Sequence, residues 1–161
     1  MFRKLELPPG VAGALYLHSM PGREEALEDA VAEMRRLSIS RVVSLADLAE
    51  ISVKSEAYAH AIEAAEIPAT LASCPIPDRG VPEDPAAFVM SAEQTALALK
   101  SGEKILGHCG AGVGRTGTYA AAVLLRLGLS KNQALARVRQ AGSNPETKEQ
   151  LDLLDIATLK N

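Results

Sequence analysis

The sequence has few aromatic residues: tryptophan is absent, and phenylalanine and tyrosine together make up 3% of its 161 residues. Hydrophobic residues still account for 47% of the chain, so its core must be built from Ala, Leu, Val and Ile. A chain of this length is long enough for one domain with a buried core and too short for two domains of ordinary size. We therefore expect residues 1–161 to form a single domain.

The sequence also lacks an excess of positive charge. Its 17 Lys and Arg residues are outnumbered by 20 Asp and Glu residues, which gives a net charge of −3. Proteins that bind nucleic acid or anionic membranes over a wide surface need a basic excess to neutralise phosphates. We expect neither kind of partner, and any phosphate that the protein recognises should bind at one point.

Long apolar runs and disulfide patterns are missing as well. The longest unbroken apolar run, 119–125, is far shorter than the ~20 residues of a membrane span. The apolar stretch 11–17 follows two basic residues as in a signal peptide, but Glu6, two prolines and the lack of a cleavage site argue against that reading. Two cysteines do not imply an oxidising compartment. We expect a cytoplasmic protein and, by default, a monomer.

Patterns typical of metal sites are absent too. His18 and His60 have no cysteine or carboxylate partners at ligand spacing. We therefore expect neither a metal nor a cofactor.

Short apolar segments alternate with helical patterns along the chain. Segments rich in apolar residues predict strands at 13–17, 41–45, 69–76 and 104–108. Helical spacing or composition predicts helices at 23–37, 55–65, 84–100, 114–127, 131–140 and 146–160, the last one capped by Ser143 with Pro145 in its first turn. Alternating strands and helices indicate an α/β fold, with a mostly parallel sheet of about four or five strands flanked by helices.

The densest chemical signal is the segment HCGAGVGRTG at residues 108–117, placed between a predicted strand and a predicted buried helix. Its glycines let backbone N–H groups turn toward one point, where the positive end of the helix and the forked donors of Arg115 also lie. Such a bowl suits a tetrahedral dianion. Because the same donors stabilise a thiolate, Cys109 becomes a nucleophile beneath a bound phosphate.

Two other interpretations compete with phosphoryl transfer. Gly112, Gly114 and Gly117 satisfy the spacing of a dinucleotide-binding loop, but the acidic residue expected about 20 positions later is missing. Alternatively, Cys109 is a small buried residue in a tight glycine turn, which leaves Arg115 unexplained. An ATP-binding phosphate loop is excluded because Arg115 stands where its lysine would be.

The segment HCGAGVGRTG resembles the HCxxGxxR(S/T)G signature of the cysteine-dependent protein tyrosine phosphatases. The length, the element order and the Pro-Ile-Pro-Asp segment are similar to the small dual-specificity subgroup. The resemblance implies that Cys109 forms a phosphocysteine, that Arg115 clamps the phosphate and that Thr116 hydrogen-bonds the sulfur. It implies a structural role for His108. The residues that would bind phosphate are Gly110, Ala111, Gly112, Val113, Gly114 and Arg115.

The resemblance also implies a general acid on a mobile loop, and Asp78 in IPDRGVP matches that position. Its prolines and glycine indicate a surface loop, although a plain turn aspartate remains the alternative. Asp84 is the reserve candidate, with Glu83 behind it. Gln150 is the nearest match to the polar residue that orients the hydrolytic water, but a solvent-exposed helical glutamine explains it equally well.

Cys74 leaves two interpretations open. Some relatives protect the catalytic thiolate with a reversible disulfide to a neighbouring cysteine, and Cys74 is the other cysteine of this chain. On a predicted strand, however, it fits better as a small buried residue.

Together these features predict a metal-independent phosphatase that acts on phosphorylated protein or peptide, mainly on phosphotyrosine and also on phosphoserine or phosphothreonine. A phosphate-binding module without turnover is one alternative, and the same chemistry on inositol phosphates or small metabolites is another. Because Gly110, Ala111 and Val113 add no positive charge to the loop, we rank protein substrates above lipids. The scarcity of aromatic residues predicts a shallow, permissive pocket.

Overall fold

The computed structural model describes residues 1–159 and contains a five-stranded sheet with the strand order β1-β2-β5-β3-β4. The strands are β1 (Arg3–Leu5), β2 (Ala14–His18), β3 (Arg41–Ser44), β4 (Thr70–Ser73) and β5 (Lys104–His108). Strand β1 runs antiparallel to β2, and the other four strands are parallel to one another. The predicted α/β fold with a mostly parallel sheet is therefore confirmed.

Seven helices within residues 1–159 cover both faces of this sheet. They are α1 (Leu27–Arg36), α2 (Leu48–Lys54), α3 (Glu56–Glu63), α4 (Pro85–Lys100), α5 (Gly114–Arg126), α6 (Lys131–Gln140) and α7 (Lys148–Ala157). Helices α1 to α3 pack on one face and α4 to α7 on the other. No helix in this part of the chain is long and apolar enough to cross a bilayer.

The strands supply side chains to both cores because alternate residues of a strand point to opposite faces. Leu15 and Ile105 pack with α4 to α7, whereas Tyr16 and Leu106 pack with α1 to α3. Helix α5 is buried along its length except at Arg126, as its predominantly small and aliphatic sequence predicts. Buried strands and a buried helix fix the position of the loop that joins β5 to α5.

The parallel strands end at one edge of the sheet, where the register places His108 beside His18 and Ser44. Ser44 is in turn paired with Ser73 at the end of β4. Ligands of open α/β sheets bind at the carboxyl ends of the strands, and the segment HCGAGVGRTG begins at this edge. The fold thus brings the loops that follow β2, β3, β4 and β5 together.

Several predicted boundaries were wrong. Strand β1 and helix α2 were not predicted, and α1 begins at Leu27 rather than at residue 23. Helix α7 begins at Lys148, capped by Thr147, whose hydroxyl accepts a hydrogen bond from the Gln150 N–H at 3.1 Å. Ser143 does not cap it because its hydroxyl binds a carbonyl of the β5–α5 loop instead. Residue 160, the predicted end of this helix, lies outside the described residues.

Candidate active site

The loop of residues 109–115, which we name the phosphate loop after its predicted ligand, connects β5 to α5 and packs closely against the end of β2. Gly112 has φ +75°, and a Cβ at this position would lie 2.5 Å from the carbonyl carbon and oxygen of His18. Any side chain would therefore be strained by the backbone conformation and would also collide with β2. Gly112 is required by the close approach of these two backbones.

Two side chains from distant parts of the sequence hold the carbonyl of Gly112. Arg3 in β1 donates from Nη2 at 2.6 Å, and the Ser143 hydroxyl donates at 2.7 Å. Nearby, the N–H of Met20 donates to the Gly110 carbonyl at 2.9 Å. With these carbonyls bonded to the surrounding protein, the loop is held in one conformation. Arg3 was not predicted as a site residue, and Ser143 was predicted to cap a helix instead.

Cys109 lies beneath this loop and is only 2% exposed. Its Sγ accepts a hydrogen bond from the N–H of Gly112 at 3.2 Å, and α5 begins at Gly114 with its amino end toward the loop. A backbone donor and the positive end of a helix are thus both directed at the sulfur of Cys109. The surroundings of Cys109 suit a nucleophile, although burial alone also fits a small core residue.

His108 is fully buried, and its ring contacts the carbonyl of Cys109 at the start of the loop. Its Nδ1 lies 3.0 Å from the carbonyl oxygen of Cys109, and its Nε2 lies 3.0 Å from the hydroxyl of Tyr58. Because a carbonyl only accepts, Nδ1 carries the proton and Nε2 accepts from Tyr58. Burial lowers the pKa of His108 to about 4, so the ring is neutral near pH 7. This geometry suits the predicted structural role and not a base.

Arg115 is 2% exposed and is held by Glu50 of helix α2. Nη1 donates to Oε2 and Nη2 donates to Oε1 of Glu50, both at 2.8 Å, and Nη1 also donates to the Ile76 carbonyl at 3.0 Å. The hydrogen bonds from Arg115 lower the pKa of Glu50 to about 2 despite its partial burial. The pair is therefore fully ionised at neutral pH.

Glu50 was missed because helix α2 was missed. The available signal was the spacing of Asp47 and Glu50, since an Asp followed three residues later by Glu is a typical helix start. The Asp47 carboxylate indeed accepts from the N–H of Glu50 at 2.8 Å.

Asp78 reaches the site from the loop after β4. Its Oδ1 lies 3.4 Å from Nη2 of Arg115, and its side chain is 64% exposed. The loop is a tight turn in which the N–H of Gly80 donates to the Pro77 carbonyl at 2.8 Å. The reserve candidate Asp84 instead caps helix α4 by accepting from the Ala87 N–H at 3.1 Å. The structure thus brings Asp78 to Arg115 and gives Asp84 a different role.

Gln150 is buried, with 1% of its surface exposed, so the alternative of a solvent-exposed helical glutamine was wrong. Its Oε1 accepts from the N–H of Glu146 at 2.8 Å, and its Nε2 donates to the Gly80 carbonyl at 3.0 Å. The side chain therefore connects α7 to the turn that carries Asp78. With both ends of the amide engaged, the geometry favours a role in holding the Asp78 loop.

Thr116 is the predicted site residue whose contact is not formed. Its hydroxyl is buried and has no hydrogen-bond partner among residues 1–159, and the Cys109 sulfur accepts from the Gly112 N–H instead. The contact between Thr116 and the sulfur stays a prediction that the resemblance implies.

Both cysteines are free thiols. Cys74 is half-buried at the wall of a cavity of about 560 Å³, which Glu83 and Phe88 also line. Burial raises the pKa of the Cys74 thiol, although a hydrogen bond to Ser91 lowers it in part. A protonated thiol packed against the core agrees with the small buried residue that the sequence favours.

A family model described as "Polymorphic toxin system, DSP-PTPase phosphatase" matches residues 17–129, which include the phosphate loop, Asp78 and Glu50. The chain belongs to this family. The phosphatase thus carries the whole HCGAGVGRTG segment inside the matched region. No curated protein sequence matches the chain at a significant level.

Solved structures share the fold of this phosphatase. The kinase associated phosphatase, with its catalytic cysteine changed to serine, is 23% identical with a TM-score of 0.82, covering 96% of this chain and 91% of the other. Tk-PTP in its active form is 27% identical with a TM-score of 0.71, covering 91% and 92%. TpbA of P. aeruginosa, in complex with pTyr, is 22% identical with a TM-score of 0.58, covering 96% and 94%.

Proposed function

We propose that this phosphatase hydrolyses phosphotyrosine in proteins through a covalent phosphocysteine, without a metal or cofactor. The observation that carries the proposal is the arrangement around Cys109. Its sulfur accepts from the Gly112 N–H at 3.2 Å within a loop that Arg115 borders, and Asp78 lies 3.4 Å from that arginine. These contacts support a site that combines a nucleophile, a cation for the phosphate oxygens and a proton donor.

In the first step the Cys109 thiolate attacks phosphorus. The S–P bond forms while the bond from phosphorus to the ester oxygen breaks, and Asp78 in its acid form gives its proton to that oxygen. The alcohol or phenol leaves. Arg115 and the N–H groups of the phosphate loop stabilise the charge on the three remaining oxygens. Glu50 orients Arg115 for this role through its two hydrogen bonds.

In the second step water attacks the phosphocysteine. Asp78, now a carboxylate, takes the proton from the water as the new P–O bond forms and the S–P bond breaks. Inorganic phosphate leaves and the thiolate is restored. Thr116 follows Arg115 in the chain, and its buried hydroxyl has no hydrogen-bond partner among residues 1–159. In the proposed step this hydroxyl donates to the sulfur as the S–P bond breaks.

The proposed substrate range rests on what borders the pocket. All five aromatic side chains are buried, and even Phe88, which lines the cavity beside Cys74, is only 1% exposed, so no ring protrudes to grip a phosphotyrosine ring. This supports a permissive pocket that also accepts phosphoserine and phosphothreonine. Binding of pTyr by the structurally similar TpbA supports phosphotyrosine as the main substrate.

The setting of the reaction is part of the proposal. The phosphatase is proposed to work as one catalytic domain, monomeric and in the cytoplasm, on a phosphorylated protein partner. Two free thiols, one of them the nucleophile, support a reducing compartment.

The test compares Cys109→Ser with the matched variant Cys74→Ser. We expect the wild type and Cys74→Ser to hydrolyse para-nitrophenyl phosphate and a phosphotyrosine peptide in the presence of EDTA. Cys109→Ser should lose turnover but still bind the peptide. Full activity of Cys109→Ser would exclude the phosphocysteine, and an inactive wild type would favour a phosphate-binding module.

A further inference from the structure

Three cationic side chains meet at the position where Gly110 lacks a side chain. A Cβ on Gly110 would lie 3.0 Å from Nζ of Lys54, 3.2 Å from Nη1 of Arg23 and 3.2 Å from Nη2 of Arg115. Because all three nitrogens lie within 3.2 Å of one point, no two of them can be farther apart than twice 3.2 Å. Only Arg115 belongs to the phosphate loop, because Arg23 follows β2 and Lys54 ends α2. The fold thus supplies the positive charge that the loop sequence lacks.

Packing holds Arg23 and Lys54 side by side. The turn that contains Arg23 is fastened to the phosphate loop by the hydrogen bond from the Met20 N–H to the Gly110 carbonyl, 2.9 Å long. Gly22 has φ +77°, and a Cβ there would lie 2.6 Å from the hydroxyl oxygen of Ser55. Because Gly22 has no side chain, Ser55 can approach the turn closely. Arg23 follows Gly22 and Lys54 precedes Ser55, so this close approach brings both cationic side chains to Gly110.

The nearby carboxylates do not neutralise this cluster. Glu50 accepts from Lys54 at 2.6 Å and also accepts the two hydrogen bonds from Arg115, so one carboxylate is shared by two cations. Arg23 pairs with the exposed Glu24 through Nε at 3.4 Å, whereas its Nη1 is the nitrogen over Gly110. Among residues 1–159, Asp78 forms an ion pair with Arg115 and not with Arg23 or Lys54.

We infer that Arg23 and Lys54 form a second anion site beside the catalytic one, which binds a second phosphate group of the substrate. The inference rests on the proposed function. A phosphate monoester dianion has three free oxygens, so it can accept hydrogen bonds from a guanidinium and an ammonium at the same time. Because Arg115 borders both sites, the two phosphates must be close together, on neighbouring positions of a peptide or of a small polyol.

The test measures kcat/KM for two pairs of substrates. One pair is a phosphotyrosine peptide with and without a phosphothreonine two residues away, and the other is an inositol monophosphate and the corresponding vicinal bisphosphate. We expect the second phosphate to raise kcat/KM roughly tenfold in at least one pair, as a charge-assisted contact typically does. The pair that responds identifies the source of the second phosphate. A ratio near one in both pairs would overturn the inference.

Variants test whether Arg23 and Lys54 cause the ratio of kcat/KM with the second phosphate to kcat/KM without it. Arg23→Gln and the double variant Arg23→Gln/Lys54→Gln should bring the ratio close to one. The matched variant Arg35→Gln/Lys100→Gln removes the same charge from exposed positions outside the cluster and should keep the ratio of the wild type. A double variant at the cluster that keeps the ratio would also overturn the inference.

Because each ratio is taken within one variant, a general loss of activity does not affect it. Para-nitrophenyl phosphate carries no second phosphate, so its hydrolysis by the wild type tests the proposed function separately. If the wild type hydrolyses this ester but shows no preference within either pair, only the second anion site is excluded. If it does not hydrolyse any substrate, the proposed function itself is excluded.

Discussion

The guanidinium of Arg115 and the carboxylate of Glu50 face each other with two parallel hydrogen bonds of 2.8 Å. Parallel bonds of this kind fix the plane of the guanidinium as well as its position. Burial lowers the pKa of Arg115, but its interactions with Glu50, Cys109 and Asp78 together outweigh that effect and raise it. The arginine is therefore charged and oriented by the protein itself, before any phosphate binds.

Replacing Glu50 by Gln should leave Arg115 charged but less well oriented. We expect kcat/KM for para-nitrophenyl phosphate to fall roughly 10- to 100-fold, since small misplacements of catalytic groups cost that much. Because the pKa of Glu50 is about 2, the wild-type pair does not titrate between pH 5 and 8, so the loss should be constant over that range. Glu56→Gln, an exposed change on α3, is the matched control. Unchanged kinetics in Glu50→Gln would contradict the orienting role.

Replacing Asp78 by Asn should remove the proton donor. We expect substrates with poor leaving groups to lose about 10²- to 10⁴-fold in kcat/KM, the usual contribution of general acid catalysis, and good leaving groups to lose much less. A series of aryl phosphates with phenols of different acidity measures this slope. Asp84→Asn is the control, because Asn caps helices as well as Asp. A steeper slope in Asp84→Asn than in Asp78→Asn would transfer the role to Asp84.

Gln150→Met separates two roles for this side chain. If Gln150 holds the Asp78 loop through Gly80, formation of the phosphocysteine slows and kcat/KM falls. If it orients water, only the second step slows, so kcat falls while kcat/KM is kept and a burst of phenol appears. Because both ends of the amide are engaged, we expect the first result. Stopped-flow measurement with para-nitrophenyl phosphate distinguishes them, and Gln140→Met on the exposed face of α6 is the control.

The stability of the protein should fall in mild acid because of His108. Burial lowers its pKa to about 4, whereas a histidine in the unfolded chain has a pKa near 6.5. Between these two values the unfolded state binds more protons, so the free energy of unfolding decreases as the pH falls from about 6.5 to about 4. The loss at this residue amounts to roughly 3 kcal/mol at the acid end.

Thermal unfolding at several pH values measures this loss. His18, whose pKa is also lowered by burial, contributes in the same direction. The exposed His60 does not share that burial, so His60→Gln should keep the wild-type pH dependence. His108→Gln should flatten it. An equally steep dependence in His108→Gln would assign the effect to other groups.

Those parts of the fold with a regular apolar pattern could be predicted from the sequence. Strand β5 and helix α6 have the predicted bounds, because β5 is an apolar segment between polar ends and Ser130 caps α6 through a hydrogen bond from the Gln133 N–H. Helix α2 has the opposite pattern. Its Val53 is 86% exposed and its Leu48 is 45% exposed, while Ile51 is its one buried residue, so hydrophobic periodicity gives no signal.

The same contrast applies to the site. The motif in residues 108–117 predicts a phosphate-binding loop because all its parts are adjacent in the sequence. The residues that support the loop come from far away: Glu50 is 65 positions from Arg115, and Arg3 is 109 positions from Gly112. A single sequence contains no local signal for such pairs. The second anion site was missed for the same reason, since it is assembled from two different segments.

Strand β1 is short, yet it has a consequence for how the protein is expressed. Arg3 holds the Gly112 carbonyl from a position near the beginning of the chain. A fragment that started at Leu5 would keep the whole HCGAGVGRTG segment but would lack that guanidinium. An inactive fragment of that kind would not test the proposed function, because its loop would lack one of the two side chains that hold the Gly112 carbonyl.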